Sequence, residues 1–187
     1  MFEVAKLQKV LKKADHLYDL SEIKTAIIRL AEQVTKQYDD KNPLVLCVMS
    51  GSLVTMGHLL PALNFPLEID YIHASRYGKQ TSGGDINWIH KPKSSLVGRE
   101  VILVEDIVDH GHTLAFLRKY CKDNHCKSVG CVTLVNKVGI EKYCATPEFI
   151  GLSVPNRYVF GFGMDYKGYW RNLPGIYAIS EQDEEGE

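Results

Sequence analysis

Residues 101–114 read Val-Ile-Leu-Val-Glu-Asp-Ile-Val-Asp-His-Gly-His-Thr-Leu, and this stretch decides the fold. Its first four residues are apolar, which is typical of a strand that is buried on both faces of a parallel sheet. The apolar run 101–104 stops at Glu105 and Asp106, and a glycine turn then leads into a helical stripe that includes Leu114 and Leu117. The stretch therefore predicts a strand, an acidic strand end, a turn and a helix.

Further apolar runs and amphipathic segments alternate along the chain. Besides 101–104, the apolar runs predict strands at 44–49, 67–74 and 129–135. Helical spacing predicts one helix through Val4, Leu7, Leu11 and Leu17, a second helix with Ser21 as its N-cap, and a third helix at 53–63. This alternation favours an α/β fold with a central parallel sheet flanked by helices. The length of 187 residues fits a single domain, 1–187.

The chemistry of the acidic strand end points to a ligand. In parallel sheets ligands lie beyond the carboxyl ends of the strands. The turn at Gly111 and the helix start near Thr113 offer backbone N–H groups to a phosphate monoester. Glu105 and Asp106 could accept hydrogen bonds from a sugar diol or hold Mg²⁺. Together they indicate a phosphorylated sugar. Two other interpretations are a strand that simply ends in water and a receiver domain, although a receiver domain would carry its acids near the start of the chain.

Residues 75–95 are rich in glycine and polar side chains. A loop of this length within a compact domain is usually functional or disordered. We predict that it forms a lid over the strand ends.

The overall composition is that of an ordinary globular protein, with 45% hydrophobic and 24% charged residues. The formal net charge is −1, but the segment 181–187 holds five acids and no base, so the rest of the chain carries +4. A modest basic surplus suits a small anionic substrate and argues against a nucleic-acid partner. We expect 181–187 to be a flexible acidic tail.

The cysteines and the N-terminus indicate the compartment. Five cysteines without a CxxC pair argue against a disulfide framework and against a zinc site, and they favour a reducing cytosol. The N-terminal residues lack the apolar run of a signal peptide, and no stretch is long enough to cross a membrane. We therefore expect a cytoplasmic protein without a membrane partner.

The segment Glu105-Asp106-Ile107-Val108-Asp109-x-Gly111-x-Thr113 resembles the phosphoribosyl pyrophosphate signature of the type I phosphoribosyltransferases. The resemblance extends from about Leu44 to Ser180. It is strong again at 154–166 and 169–173, which are similar to the hood segment with which hypoxanthine-guanine members of the family select 6-oxopurines. The resemblance implies the type I phosphoribosyltransferase fold, with a small hood built from chain-terminal segments. It also implies a Mg²⁺-dependent purine salvage reaction of hypoxanthine or guanine with phosphoribosyl pyrophosphate.

The resemblance implies a role for each residue of the signature. Asp109 would be the catalytic general base, which accepts a proton from the imidazole nitrogen of the purine. Glu105 and Asp106 would bind the ribose hydroxyls and Mg²⁺. An alternative role for Asp109 is to cap the helix that follows. The other substrate-binding residues of the signature would be Ile107, Val108, His110, Gly111, His112 and Thr113, with 109–113 around the 5-phosphate.

Residues outside the signature would complete the site. Lys137 would donate to the 6-oxo group, Tyr158 would stack on the base, and the main chain of Val159 would meet its polar edge. Asp165 would help to hold Mg²⁺, and Arg171 would bind pyrophosphate. Alternatively, Asp165 and Arg171 form a local ion pair. The remaining substrate-binding residues would be Ser50 and Gly51 in a pyrophosphate loop with a cis peptide, and Ser75, Arg76 and Tyr77 at the start of a mobile loop.

Three positions depart from the family pattern. His110 and His112 stand where many relatives have threonine or lysine. We therefore expect the charge of the phosphate seat, residues 109–113, to vary near neutral pH. Ser50 replaces a basic residue found in some members, so the pyrophosphate site would rely on backbone amides, Arg171 and Mg²⁺.

Two alternative functions remain open at this point. The chain could prefer xanthine, because Lys137 would accept any 6-oxo group. It could also be a non-catalytic, RNA-binding regulator on the same fold, although the lack of a marked basic patch argues against this. The resemblance further implies a homodimer or homotetramer.

Overall fold

Six strands form the central sheet of the computed structural model, which describes residues 3–76, 86–143 and 146–180. The helices are α1 (Val4–Lys13), α2 (Leu20–Tyr38), α3 (Leu53–Leu59), followed by a 3₁₀ turn at Leu60–Ala62, and α4 (His112–Asp123). The strands are β1 (Asp15–Tyr18), β2 (Leu44–Val48), β3 (Glu68–Arg76), β4 (Ile86–His90), β5 (Glu100–Val108), β6 (Ser128–Lys137), β7 (Phe149–Val154), β8 (Val159–Phe160) and β9 (Ile176–Ala178).

The sheet has the strand order β4-β3-β2-β5-β6-β7, and all neighbours except β3 and β4 are parallel. All five residues of β2 are buried, as expected for a strand with helices on both faces. On one face α2 packs Leu30 and Val34 against Val104, and on the other α4 packs Leu117 against Leu103. The predicted α/β fold with a central, mostly parallel sheet is confirmed.

A second, smaller sheet joins the two ends of the chain. Its order is β1-β9-β8, so one strand comes from the N-terminal region and two come from the C-terminal region. Phe160 is fully buried there and packs in a cluster with Leu7 of α1 and with Ile179. Arg157 also bridges the chain ends, since it donates to the Asp15 carboxylate at 2.6 Å and to the carbonyl of Ile179. This sheet is the hood that was predicted from chain-terminal segments.

The local boundaries differ from the predictions in several places. Leu17 lies in β1 and not in the first helix. The predicted helix 53–63 changes to a 3₁₀ turn after Leu59, where Pro61 cannot donate a backbone hydrogen bond. Strand β5 continues to Val108, so Glu105 and Asp106 lie within the strand and not after its end. The predicted loop 75–95 contains the end of β3 and all of β4.

Helix α2 begins two residues earlier than predicted. Its N-cap is Asp19, whose carboxylate accepts a hydrogen bond from the backbone N–H of Glu22 at 2.9 Å. Glu22 in turn accepts from the backbone N–H of Asp19 at 2.9 Å, which completes a capping box. The assignment of Ser21 as N-cap was therefore wrong, because the reciprocal Asp19–Glu22 pair satisfies more of the unpaired backbone groups.

Two further observations concern the sequence expectations. Within the described ranges, no helix combines the length and the hydrophobicity that a membrane span requires. Cys47, Cys121 and Cys126 are free thiols. Cys144 and the acidic segment 181–187 lie outside the described residues.

The capping box can be tested by comparing two alanine variants of neighbouring residues. Asp19→Ala removes the cap and should lower the free energy of unfolding by about 1 kcal/mol. Ser21→Ala is the control, because Ser21 accepts a bond from Thr25 through its backbone carbonyl, which alanine retains. Urea denaturation measures both. Equal destabilisation by the two variants would contradict this assignment of the cap.

Candidate active site

The predicted site residues converge at the carboxyl-end edge of the central sheet. The turn Ser50–Gly51 follows β2, Asp109 follows β5, and Lys137 is the last residue of β6. The register pairs Val108 with Asn136, which brings the ends of β5 and β6 side by side. As a result, the Nζ atom of Lys137 lies 3.2 Å from Oδ2 of Asp109.

Glu105 and Asp106 are acids that the fold removes from water, almost completely for Glu105 and in part for Asp106. Glu105 is only 5% exposed, and its Oε1 atom has no hydrogen-bond partner. Burial, and to a smaller extent the charge of Asp106, raises the pKa of Glu105 well above its usual range. Burial also raises the pKa of Asp106 to about 6, although backbone hydrogen bonds and Arg171 act in the opposite direction. A bound cation or hydroxyl donors would therefore stabilise the ionised form of both carboxylates.

Gly51 lies directly against the Asp106 carboxylate. A Cβ atom at position 51 would overlap with that carboxylate, so only glycine fits. On its other side, the Gly51 carbonyl touches Gly163 of the hood, which has a φ of +102°. The Met49–Ser50 peptide just before this turn is cis, as the family resemblance implied.

A cavity of about 270 Å³ lies beside the acids and the turn that follows them. It is lined by Glu105, Asp106, Ile107, Val108, Asp109, Gly111, Thr113 and Leu114. Gly111 is the N-cap of α4 with a φ of 84° and supplies no side-chain cap. The start of α4 thus opens onto the cavity, which is the arrangement that favours a bound anion.

Asp109 does not serve as the cap of α4, because Gly111 occupies that position and no side chain caps the helix. Its Oδ1 atom is buried and has no hydrogen-bond partner, while Oδ2 contacts Lys137. A buried acceptor beside an ammonium group can receive a proton from a ligand N–H group while the lysine donates to a neighbouring oxygen.

The hood contributes an ion pair and an aromatic ring. Arg171 contacts Oδ1 of Asp165 at 2.7 Å and donates to the carbonyl of Gly163 at 2.7 Å. Tyr158 is 41% exposed and donates to the backbone carbonyl of Asp165 at 3.1 Å. Val159 is buried in β8. The local Asp165–Arg171 pair is thus present, and both members act electrostatically on the pKa of Asp106.

The acids fit a cation only in part. Among residues 3–76, 86–143 and 146–180, no group of three or more His, Cys, Asp or Glu side chains could hold a metal ion on its own. Asp165 is instead engaged with Arg171 and with the backbone N–H of Gly168, at 2.7 Å. Glu105 and Asp106 nevertheless suit Mg²⁺, which commonly binds one or two carboxylates and completes its shell with substrate oxygens and water.

Some predicted residues are placed less fully. Ser75 and Arg76 lie at the end of β3, where their backbones pair with Asn87 and Ile86 of β4. Tyr77 and residues 78–85 of the predicted lid lie outside the described residues.

The sequence interpretation missed the loop 138–143. This segment packs against the residues of the predicted phosphate seat, and the ring of Tyr143 stacks on His112 with centroids 3.8 Å apart. No local motif in the sequence indicates this packing, because the contacts join residues more than 30 positions apart.

The buried acids predict an unusual dependence of stability on pH. Because their folded-state pKa values are raised, the folded chain holds more protons than the unfolded chain from about pH 4 upward, and for Asp106 this range ends near pH 6. The free energy of unfolding therefore includes their full stabilising contribution below this pH range. That contribution is lost as the pH rises through the range. Glu105→Gln should then exceed the parent protein in free energy of unfolding at neutral pH by about 1–3 kcal/mol, and the gap should close near pH 4.

Urea denaturation across this pH range measures the effect. Glu32→Gln on the exposed face of α2 is the matched control and should track the parent protein. If Glu105→Gln were less stable than the parent protein at neutral pH, the account of the buried acids would be wrong.

Known proteins resemble this chain along most of its length. Residues 13–167 match the family described as "Phosphoribosyl transferase domain". The hypoxanthine-guanine phosphoribosyltransferase of Streptococcus thermophilus is 34% identical over 177 residues, which cover 94% of this chain and 97% of that protein.

Solved structures agree with these similarities. A hypoxanthine-guanine-xanthine phosphoribosyltransferase superposes with a TM-score of 0.80 at 34% identity, covering 89% of this chain and 97% of the other. A hypoxanthine phosphoribosyltransferase from Staphylococcus aureus superposes with a TM-score of 0.87 at 25% identity, covering 97% of this chain and 98% of the other.

Proposed function

The chain belongs to the family of the phosphoribosyl transferase domain, and we propose that it joins hypoxanthine or guanine to phosphoribosyl pyrophosphate, with release of pyrophosphate and dependence on Mg²⁺. The observation that carries the proposal is one cavity lined by two buried acids, Glu105 and Asp106, and by the start of α4, with the Asp109–Lys137 pair at its side. The product would be a purine nucleotide of the salvage type.

The sugar-phosphate donor fits this cavity by its chemistry. The segment 109–113 and the start of α4 would receive the 5-phosphate, while Glu105 and Asp106 would accept hydrogen bonds from the ribose hydroxyls. Ile107, Val108, His110, His112 and Thr113 would complete the contacts around the phosphate and the ribose. The unpartnered Oε1 of Glu105 supports this assignment, because a buried acceptor without a donor is costly.

The base would lie against Asp109 and Lys137. A 6-oxopurine carries its oxo group next to an imidazole nitrogen, so one edge presents an acceptor beside an N–H group. Lys137 would donate to the oxo group while Asp109 accepts the proton from the imidazole N–H beside it. The other imidazole nitrogen would then bond to the sugar carbon, as the bond from that carbon to pyrophosphate breaks. Adenine has an amino group in place of the oxo group, so its donor would face the Lys137 ammonium.

The hood and the turn after β2 would close the site from the other side. Tyr158 would stack on the base, and the main chain of Val159 would meet its polar edge. Arg171, together with the backbone of Ser50 and Gly51, would bind pyrophosphate. Ser75, Arg76 and Tyr77 would begin a lid that excludes water from the reacting carbon.

Magnesium would be held by Glu105 and Asp106, with Asp165 nearby, and when bound it neutralises the charge of the leaving pyrophosphate. Charge is the reason why the protein would need it, because two buried carboxylates otherwise repel each other and the anionic substrate.

The same proposal includes the setting of the enzyme. We propose a single domain spanning 1–187, with 181–187 as an acidic tail, in a cytoplasm that keeps its thiols reduced.

We expect a homodimer or homotetramer. The apolar side chains of Leu53, Ile69 and Tyr71 are each more than 40% exposed, and they line an apolar cavity that a second copy could cover. Sedimentation equilibrium would measure this, and a strictly monomeric protein would contradict it.

The proposed reaction is tested by direct turnover. The protein should convert hypoxanthine and guanine to nucleotides with phosphoribosyl pyrophosphate and Mg²⁺, as followed by ultraviolet absorbance, whereas adenine should not react. Asp109→Asn keeps the size of the side chain but removes the proton acceptor, so turnover should fall about a hundredfold or more. Asp123→Asn, at the exposed far end of α4, is the control and should retain full activity.

The outcomes separate the alternatives. A xanthine arm is included because one of the similar solved structures is named for hypoxanthine, guanine and xanthine. Preference for xanthine would revise the specificity and leave the reaction standing. Inactivity with all four bases would reject the proposal and favour an RNA-binding regulator on this fold.

A further inference from the structure

We propose that Lys142 and Tyr143 are positioning residues. They pre-organise the phosphate seat, residues 109–113, by binding the backbone carbonyl oxygens of residues 108–110. The inference deepens the proposed function and rests on it. It assigns a role to the loop 138–143, which the family signature does not include.

The loop binds three consecutive carbonyl groups at the start of the seat. The Nζ atom of Lys142 donates to the carbonyl of Val108 at 3.0 Å and to that of Asp109 at 2.5 Å. The backbone N–H of Tyr143 donates to the carbonyl of His110 at 2.8 Å. In the reverse direction, Nδ1 of His110 lies 3.1 Å from the carbonyl oxygen of Glu141.

The geometry of the trans peptide links the direction of each bound carbonyl to the direction of the N–H group across the same peptide bond. In a trans peptide the C=O of one residue and the N–H of the next point in opposite directions. Fixing the carbonyls of 108, 109 and 110 toward the loop therefore directs the N–H groups of Asp109, His110 and Gly111 away from it. The residues that line the 270 Å³ cavity all belong to 105–114, so the loop 138–143 is not part of its lining.

The charge of Lys142 adds a second effect. An ammonium group at the oxygen end of a peptide polarises that peptide, which makes its N–H group a stronger donor. Two of the three gripped peptides receive this polarisation from one side chain. Lys142 would thus favour an anion in the cavity through the backbone, without touching it.

Tyr143 also orients the first residue of α4. Its ring stacks on His112 at 3.8 Å and lies 6.1 Å from the ring of His110. The loop therefore holds the seat at both ends, through carbonyls at 108–110 and through a side chain at 112. A seat fixed before the ligand arrives loses less conformational entropy on binding.

A matched pair of ligands isolates the effect on the phosphate. GMP and guanosine share the base and the ribose and differ only in the phosphate group. Lys142→Met should weaken GMP binding about tenfold, the usual order for a hydrogen bond to a charged group, and should leave guanosine binding unchanged. Lys142→Arg keeps the charge and should recover most of the GMP affinity.

Calorimetric titration measures both ligands on the full chain. Lys119→Met is the control for loss of a positive charge, because Lys119 is exposed on α4 and paired with Asp123 at 2.6 Å. This variant should bind both ligands as the parent protein does. Unchanged GMP affinity in Lys142→Met, or an equal loss for GMP and guanosine, would overturn the inference while the proposed function stands. If the parent protein itself bound GMP no more tightly than guanosine, the phosphate seat of the proposed function would fail first.

Discussion

The burial of two adjacent carboxylates at the carboxyl end of β5 is the constraint on which the site depends. Glu105 and Asp106 belong to a strand that is bordered on both sides by parallel neighbours, and Glu105 is buried while Asp106 is half-buried. Burial makes the ionised form of both carboxylates unfavourable, and it is the main cause of their raised pKa values. This unfavourable free energy is located at Glu105 and Asp106, and a bound cation or sugar hydroxyls can reduce it.

This constraint determines what may lie around the acids. Gly51 must be glycine because the Asp106 carboxylate occupies the space of a Cβ, and Gly163 must approach the carbonyl of Gly51 with a positive φ. Hood and sheet therefore meet through two residues without side chains. A few residues further along, the start of α4 provides positive potential, so the proposed cation site and the proposed anion site adjoin within 105–113.

The sequence predicted the parts of this arrangement that local chemistry determines. Continuous apolar runs predicted β2, the start of β5 and β6, because strands buried on both faces need no alternation. It failed at one local choice, the N-cap of α2, and at places where a distant partner decides. Asp19 outcompetes Ser21 through its reciprocal bond with Glu22, and β4 exists because β3 supplies an antiparallel partner. The contacts of Lys142 and Tyr143 were invisible, since they join segments that only the folded sheet brings together. The side-chain roles in the site came from the resemblance and stay proposals.

The Asp165–Arg171 pair shows why such roles cannot be assigned from proximity alone. The pair is a good local ion pair at 2.7 Å, yet Arg171 lowers and Asp165 raises the pKa of Asp106 in the sheet. A residue that binds its neighbour in the free protein can exchange that partner for a charged ligand at little electrostatic cost, because one ion pair replaces another. Lys137 is likewise paired with Asp109, and in the proposed function a base would exchange hydrogen bonds with both. The ion pairs that look purely structural are thus the state from which binding would begin.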